Sequence, residues 1–137
     1  MPARTSVVFL TRSLEAGGAE VQLASLATAL PRDQFAVTVL CFYEIGPLLD
    51  TLREADIPVI SLRKAGRWDI PRFFARLVKE LRLLRPDVLH AFLGPPNILA
   101  ALSKCFLPSM RVVWGIRASN MDLSQYDFTW RLGFALE

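Results

Sequence analysis

A small set of residues with chemical capacity falls at the ends of apolar runs in this 137-residue chain. Gly17 and Gly18 come between the run Val7-Val8-Phe9-Leu10 and a stretch whose apolar residues take helical spacing, with Glu20 a few residues into that stretch. A strand that feeds a helix through paired glycines exposes unpaired backbone N–H groups and the positive end of the helix dipole, which is a place for a phosphate. His90, the only histidine, closes an apolar run and is read as standing at a strand end, where an imidazole can carry a proton near neutral pH. Gly94 follows it, and Arg117 and Asn120 lie in a polar turn after a further apolar run. A permanently charged guanidinium there needs an anion, a carboxylate or water. Each residue has a plainer reading too: tight-turn glycines, a structural histidine, a structural ion pair, and a Glu20 that only favours the helix dipole. Gly17-Gly18 also lacks the tail of a P-loop and the spacing of a dinucleotide fingerprint.

These residues need elements to hold them. Residues 7–10 suit a strand buried on both faces, and Ala19, Leu23, Leu26, Ala27 and Leu30 form one helical stripe. Residues 36–41 form a second strand, Gly46-Pro47 opens a short helix, and 57–62 supply a third strand whose Pro58 suits an edge. Asp69 can cap a helix carrying Ile70, Phe73, Phe74, Leu77, Val78, Leu81 and Leu84, which ends at Arg85-Pro86. A fourth strand over 87–91 leads through Gly94-Pro95-Pro96-Asn97 into a helix with Ile98, Leu99, Ala101 and Leu102. Residues 111–116 form a fifth strand, and a last helix begins near Ser124. Strands alternating with helices predict an α/β fold, a single Rossmann-like parallel sheet with helices on both faces, spanning 1–137. Ligands of such sheets bind beyond the carboxyl ends of the strands, where the strand order reverses. With the order 3-2-1-4-5, Gly17-Gly18, His90 with Gly94, and Arg117 to Asn120 would meet in one crevice.

The 53% apolar content allows a true core. No apolar run approaches the roughly 18 residues of a membrane span, and the start Met1-Pro2-Ala3-Arg4 lacks a secretory apolar region, so a cytoplasmic protein is expected. Cys41 and Cys105 lack the partners of a zinc site or redox motif, and both are expected to be buried free thiols; no metal site is predicted. The net charge is only +3, but Arg63 to Arg85 holds eight basic residues against two acidic ones, a local +6 that leaves the remainder acidic. That pattern points to an anionic ligand or surface, or to a solvated helix face. Arg72, Arg76 and Lys79, on the polar side of that helix with Arg67 and Trp68 leading in, would suit the surface of an anionic membrane, to which the protein would be peripheral. No nucleic-acid partner is expected.

Taken together the landmarks resemble the N-terminal half of a family 4 glycosyltransferase of the GT-B fold. They are Gly17-Gly18-Ala19-Glu20 with the helix that follows, Ile57-Pro58-Val59, Leu84-Arg85-Pro86-Asp87-Val88-Leu89-His90, and Val112-Val113-Trp114-Gly115-Ile116-Arg117, spread in family order over nearly the whole chain. The resemblance implies two facing Rossmann-like domains, the first holding an acceptor and the second a nucleotide-sugar donor, with retaining transfer and no obligatory metal or cofactor. It implies a sugar, polysaccharide or lipid-linked acceptor, a glycine loop reaching toward the donor diphosphate, and candidate catalytic roles for His90 and Arg117. Many members carry a histidine where this sequence has Arg117. The glutamate pair that the family keeps in its second domain has no counterpart here, so the C-terminal donor-binding domain is expected to be absent from this chain and to be its partner in the full-length protein. Two other classes share the same pattern of elements. One is a nucleotide-binding oxidoreductase domain, with Glu44 placed as a ribose-binding acid; the other is a noncatalytic α/β interaction domain.

Overall fold

The computed structural model describes residues 3–65 and 69–115. Arg67, Trp68, Arg117, Asn120 and the helix expected from Ser124 therefore lie outside the described residues. The elements run β1 (Thr5–Thr11), α1 (Gly18–Ala29), β2 (Phe35–Cys41), α2 (Leu48–Glu54), β3 (Val59–Ser61), α3 (Ile70–Leu84), β4 (Val88–Phe92), α4 (Gly94–Ser103) and β5 (Arg111–Gly115). The strands are parallel, as the alternation of elements predicts, and lie in the order β3-β2-β1-β4-β5 on which the expected crevice is conditional. β1 pairs with β2 in register Phe9 to Val39 and with β4 in register Phe9 to His90.

Period-two alternation divides the strands between two cores. Val7, Phe9, Val37, Val39 and Phe92 pack with α1 and α2, while Val8, Leu10, Leu40, Leu89 and Ala91 pack with α3 and α4. Phe9, Phe73, Leu10, Leu40, Leu77 and Leu89 are fully buried, each contributing about 1.5–3 kcal/mol against its exposed state. The helices change faces at β1, and that change opens a gap between the loops leaving β1 and β4.

Several sequence expectations need correction. In α1 the buried residues are Ala19, Leu23, Ala24 and Ala27, whereas Leu26 is exposed; a small residue, not a leucine, faces the sheet where the helix lies closest. Ile70 shares the angular position of Leu77 on α3 but stands at the helix start, beyond the buried stretch, and is 51% exposed. Asp69 is the N-cap by position but caps nothing with its side chain. Its carboxylate instead pairs with Arg76 at 2.5 Å and accepts from the Ala65 N–H at 3.2 Å, and the Arg76 bond first, then the Ala65 one, holds its pKa below the usual carboxylate range. The buried face of α4 is Gly94, Pro96, Asn97, Ala100 and Ser103, leaving Ala101 and Leu102 exposed. Small and polar residues lie inward there because they let the helix sit close to the sheet, with the Ser103 hydroxyl donating to the Ala100 carbonyl at 2.8 Å. Cys105, just past that helix, is consequently exposed, while Cys41 is buried as expected. Burial first, and then the charge of Glu44, pushes the Cys41 thiol up to about 11.

Candidate functional site

Beyond the carboxyl ends of β1, β2 and β4 lies a crevice of about 440 Å3. Arg12 and Ser13 come from the end of β1, Tyr43 from the end of β2, and Phe92 and Leu93 from the end of β4, with Glu15, Glu20, Ile45 and Pro96 completing it. This is the reversal of strand order at which a doubly wound sheet binds ligands.

Backbone hydrogen bonds fix one wall of the crevice by joining the β1–α1 and β2–α2 loops. The Arg12 carbonyl accepts from Phe42 and Tyr43 at 3.1 and 3.0 Å, the Leu14 N–H donates to the Ile45 carbonyl at 2.9 Å, and the Leu14 carbonyl accepts from Leu48 at 3.1 Å. Gly46 makes that join possible: its φ is +118°, and a Cβ there would overlap the Leu14 carbonyl group. Ser13 is buried, its hydroxyl donating to Glu15 Oε2 at 3.2 Å. Across the crevice Leu93 takes a φ of +69° at the head of α4, a costly backbone state for a leucine. Its N–H donates to the Gly115 carbonyl at 3.2 Å, so the turn out of β4 is held by β5.

The structure brings some of the sequence candidates together here. Gly17 is the N-cap of α1 and Gly18 its first residue, both exposed and both with the first turn pointing at the crevice that Glu20 lines. The Gly17 N–H donates to the Glu15 carbonyl at 2.8 Å, and Val21 makes the first bond back to Gly17. The amides that the helix itself leaves over are therefore those of Gly18, Ala19 and Glu20 rather than of both glycines. A Cβ on Gly18 would meet nothing among the described residues within 4 Å, whereas one on Gly17 would collide with the Glu20 carboxylate, which folds back over the helix start.

Other candidates are placed elsewhere. His90 is the third residue of β4, not its end, half-buried on the α1 face with its ring stacked on Phe92 at 4.4 Å and tilted against Phe9 at 5.6 Å. Phe92, two residues nearer the carboxyl end, reaches the crevice in its place. The strand runs one turn of pleat further than its apolar pattern suggests, because Phe92 pairs with Gly115. Gly94 is buried in the first turn of α4, behind Leu93 and Pro96, which line the crevice. Glu44 is paired with Arg53 at 2.5 Å on the surface. On α3, Arg72 and Lys79 are exposed, and Arg76 is tied to Asp69 and to the Arg63 carbonyl.

Arg12, Tyr43 and Phe92 escaped the sequence reading. Arg12 is two residues beyond the last apolar position of its strand, and its signal is that position alone. Together the lining offers one guanidinium, two carboxylates, a phenol and an aromatic floor around a helix N-terminus, a set able to hydrogen-bond a polyhydroxylated ligand and meet an anion. Among the described residues no cluster of His, Cys, Asp or Glu is placed to hold a metal.

Comparison with known proteins bears on this arrangement. Residues 16–134 match Glycosyltransferase Family 4. No individually curated protein matches the chain in sequence. Among solved structures, MurG from Acinetobacter baumannii is similar at 16% identity and a TM-score of 0.59 over 80% of this chain and 34% of that one. A glycosyltransferase from Rickettsia africae is similar at 13% identity and a TM-score of 0.66 over 89% of this chain and 32% of that one. Phosphoribosylglycinamide formyltransferase from Brucella melitensis is similar at 16% identity and a TM-score of 0.58, over 98% and 67% of the respective chains. At such identities the likeness is one of fold, and the formyltransferase shows that this fold serves more than one chemistry. The chain spans about a third of the length of the first two structures.

Proposed function

Because the chain belongs to Glycosyltransferase Family 4, we propose that it is the acceptor-side domain of a retaining glycosyltransferase, which moves a sugar from a nucleotide-sugar to a sugar, polysaccharide or lipid-linked acceptor on the cytoplasmic side. The observation that carries this reading is the family match over residues 16–134, which includes the Glu20, Tyr43, Phe92, Leu93 and Pro96 wall of the crevice. Sequence similarity selects the chemistry here, since the fold is shared with a formyltransferase.

In this reading the crevice takes the acceptor and the edge of the donor. Phe92 and Tyr43 give a sugar ring apolar faces, and Glu15 and Glu20 accept hydrogen bonds from its hydroxyls. As the nucleotide diphosphate departs, negative charge grows beside the first turn of α1. The Gly18 and Ala19 amides and the Arg12 guanidinium are the fixed donors nearest to it, and donors of this kind are worth about 3–4 kcal/mol in a dry site. Glu20 then has to leave the helix start that it covers. His90 acts at one remove, by holding the Phe92 ring that floors the site. Arg117 and Asn120 remain candidates for the far side of the same crevice on sequence grounds. The remaining cations and the donor pocket belong to a second domain.

Mass spectrometry of acceptor conversion by the full-length protein, over a panel of nucleotide-sugars, tests the proposal. One donor should support multiple turnovers, with the anomeric configuration retained, while the 137-residue chain alone folds without turnover. Multiple turnover by the isolated chain, or inversion by the full-length enzyme, would refute it.

A further inference from the structure

The outer side of α3 carries a second surface that the sugar chemistry does not use. A groove of about 490 Å3 runs along it, with Phe74, Val78, Leu83 and Phe106 as its apolar lining and Lys79 and Arg82 at its rim. Leu83 is 69% exposed, and Leu102 and Phe106 are each 52% exposed. Leu83 and Phe106 line the one groove, where Phe106 meets Phe74 edge-on at 5.8 Å and the Arg82 guanidinium lies 6.0 Å over the Phe106 ring. Isolated exposed leucines are ordinary, but an apolar cluster rimmed by one sign of charge marks a binding surface. Among the described residues no carboxylate lines this groove.

We propose that this face docks on an anionic lipid bilayer, with Leu83 and Phe106 entering the headgroup boundary while Lys79, Arg82 and Arg72 meet lipid phosphates. Charge selects this occupant. A second copy bound by twofold symmetry would set Lys79 and Arg82 against themselves, a like-charge contact that opposes self-association. A bilayer answers both halves of the surface, since its phosphates take the cations and its acyl chains take the apolar ridge. Of the residues that the sequence pattern suggests, Arg76 is held by Asp69, while Arg72 and Lys79 are kept and Arg82, on the same polar side, joins them beside Phe106. Among the described residues no helix is long and apolar enough to cross a membrane, so attachment through this face is peripheral.

Co-sedimentation of the full-length protein with vesicles of phosphatidylcholine containing phosphatidylglycerol, against vesicles of phosphatidylcholine alone, tests this without reading sugar transfer. Failure here therefore leaves the proposed activity untouched. The wild type should bind the anionic vesicles and lose binding as salt rises, because exposed charges are screened beyond about 10 Å at 0.1 M. Lys79→Glu with Arg82→Glu should weaken binding at least about 30-fold. Leu83→Ser should weaken it about tenfold while leaving the salt dependence in place. Arg111→Glu, an exposed charge change on the edge strand β5, should bind like the wild type, and thermal melts should show all variants folded. Equal binding by wild type and the Lys79→Glu, Arg82→Glu variant would overturn the proposal, as would equal wild-type binding to both vesicle types. Sedimentation velocity gives the other overturning result: a wild-type dimer that Leu83→Ser dissolves would make this face an interface between copies.

Discussion

Gly18, at the head of α1, and Gly46, in the β2–α2 loop, both border the crevice, and they are glycine for different reasons. Gly46 has a φ of +118° and lies against the Leu14 backbone, so the protein's own packing excludes any side chain there. Gly18 has an ordinary helical start and open space where its Cβ would be. At Gly46 the fold accounts for the residue. At Gly18 nothing among the described residues does, and the space in front of it is where the proposed diphosphate comes closest. Packing explains Gly46, which supports the site, and leaves Gly18 to the role that we propose for it at the diphosphate.

Substitution tests that contrast directly. Gly46→Ala should cost about 2–4 kcal/mol in urea unfolding, from the strained φ and the overlap with Leu14, and should separate the two loops. An unchanged midpoint would mean that the join between the loops tolerates a side chain and that the two glycines are alike. Gly18→Val in the full-length enzyme should leave the unfolding midpoint within about 0.5 kcal/mol while lowering turnover about 100-fold, the loss expected when reacting groups are displaced by an ångström or so. Turnover that survives would reduce Gly18 to a helix starter.

A smaller effect reports on the same loops through the cysteines. Cys41 closes β2, and its backbone carbonyl accepts from Leu62 at 2.8 Å, so its thiol is sealed only while the loop beyond it stays joined. In the wild type an alkylating reagent at neutral pH should modify exposed Cys105 and spare Cys41. Gly46→Ala should open Cys41 to the reagent and Gly18→Val should not. Smallest is a pH effect. The folded Cys41 thiol holds its proton more tightly than the unfolded one, so the stability it contributes is intact below pH 9.0 and is lost as pH rises toward about 11. Equilibrium unfolding across that interval should show the decline in the wild type and not in Cys41→Ala.

The sheet was legible because apolar runs alternating with helical stripes leave few topologies, and β1 to β5 take one of those few orders. The glycine turn and the crevice position followed from it. What escaped was carried by residues that apolar patterning does not register. The buried side of α4 is built from Gly94, Asn97 and Ser103, so the exposed Cys105 and Leu102 could not be told from core. His90 was placed at a strand end because the apolar run stops nearby, but pairing with β5 carries the strand on to Phe92. Arg12 joins the site only through contacts between two loops, a long-range matter that no local window contains.

The position of β1 also sets the timing of assembly. It is made first yet sits mid-sheet, bonded on one side to β2 and on the other to β4. The Ser6 N–H reaches the Asp87 carboxylate across 81 residues of chain. At a synthesis rate of about 5–20 residues per second, that edge of β1 waits about 4–16 s for its partner to leave the ribosome. Throughout that interval Val7, Val8, Phe9 and Leu10, all buried in the finished protein, present an open strand edge. The hazard of misassociation is thus greatest in the nascent chain, and mutations that slow the emergence of β4 should lower the yield of folded protein without altering the stability of what does fold.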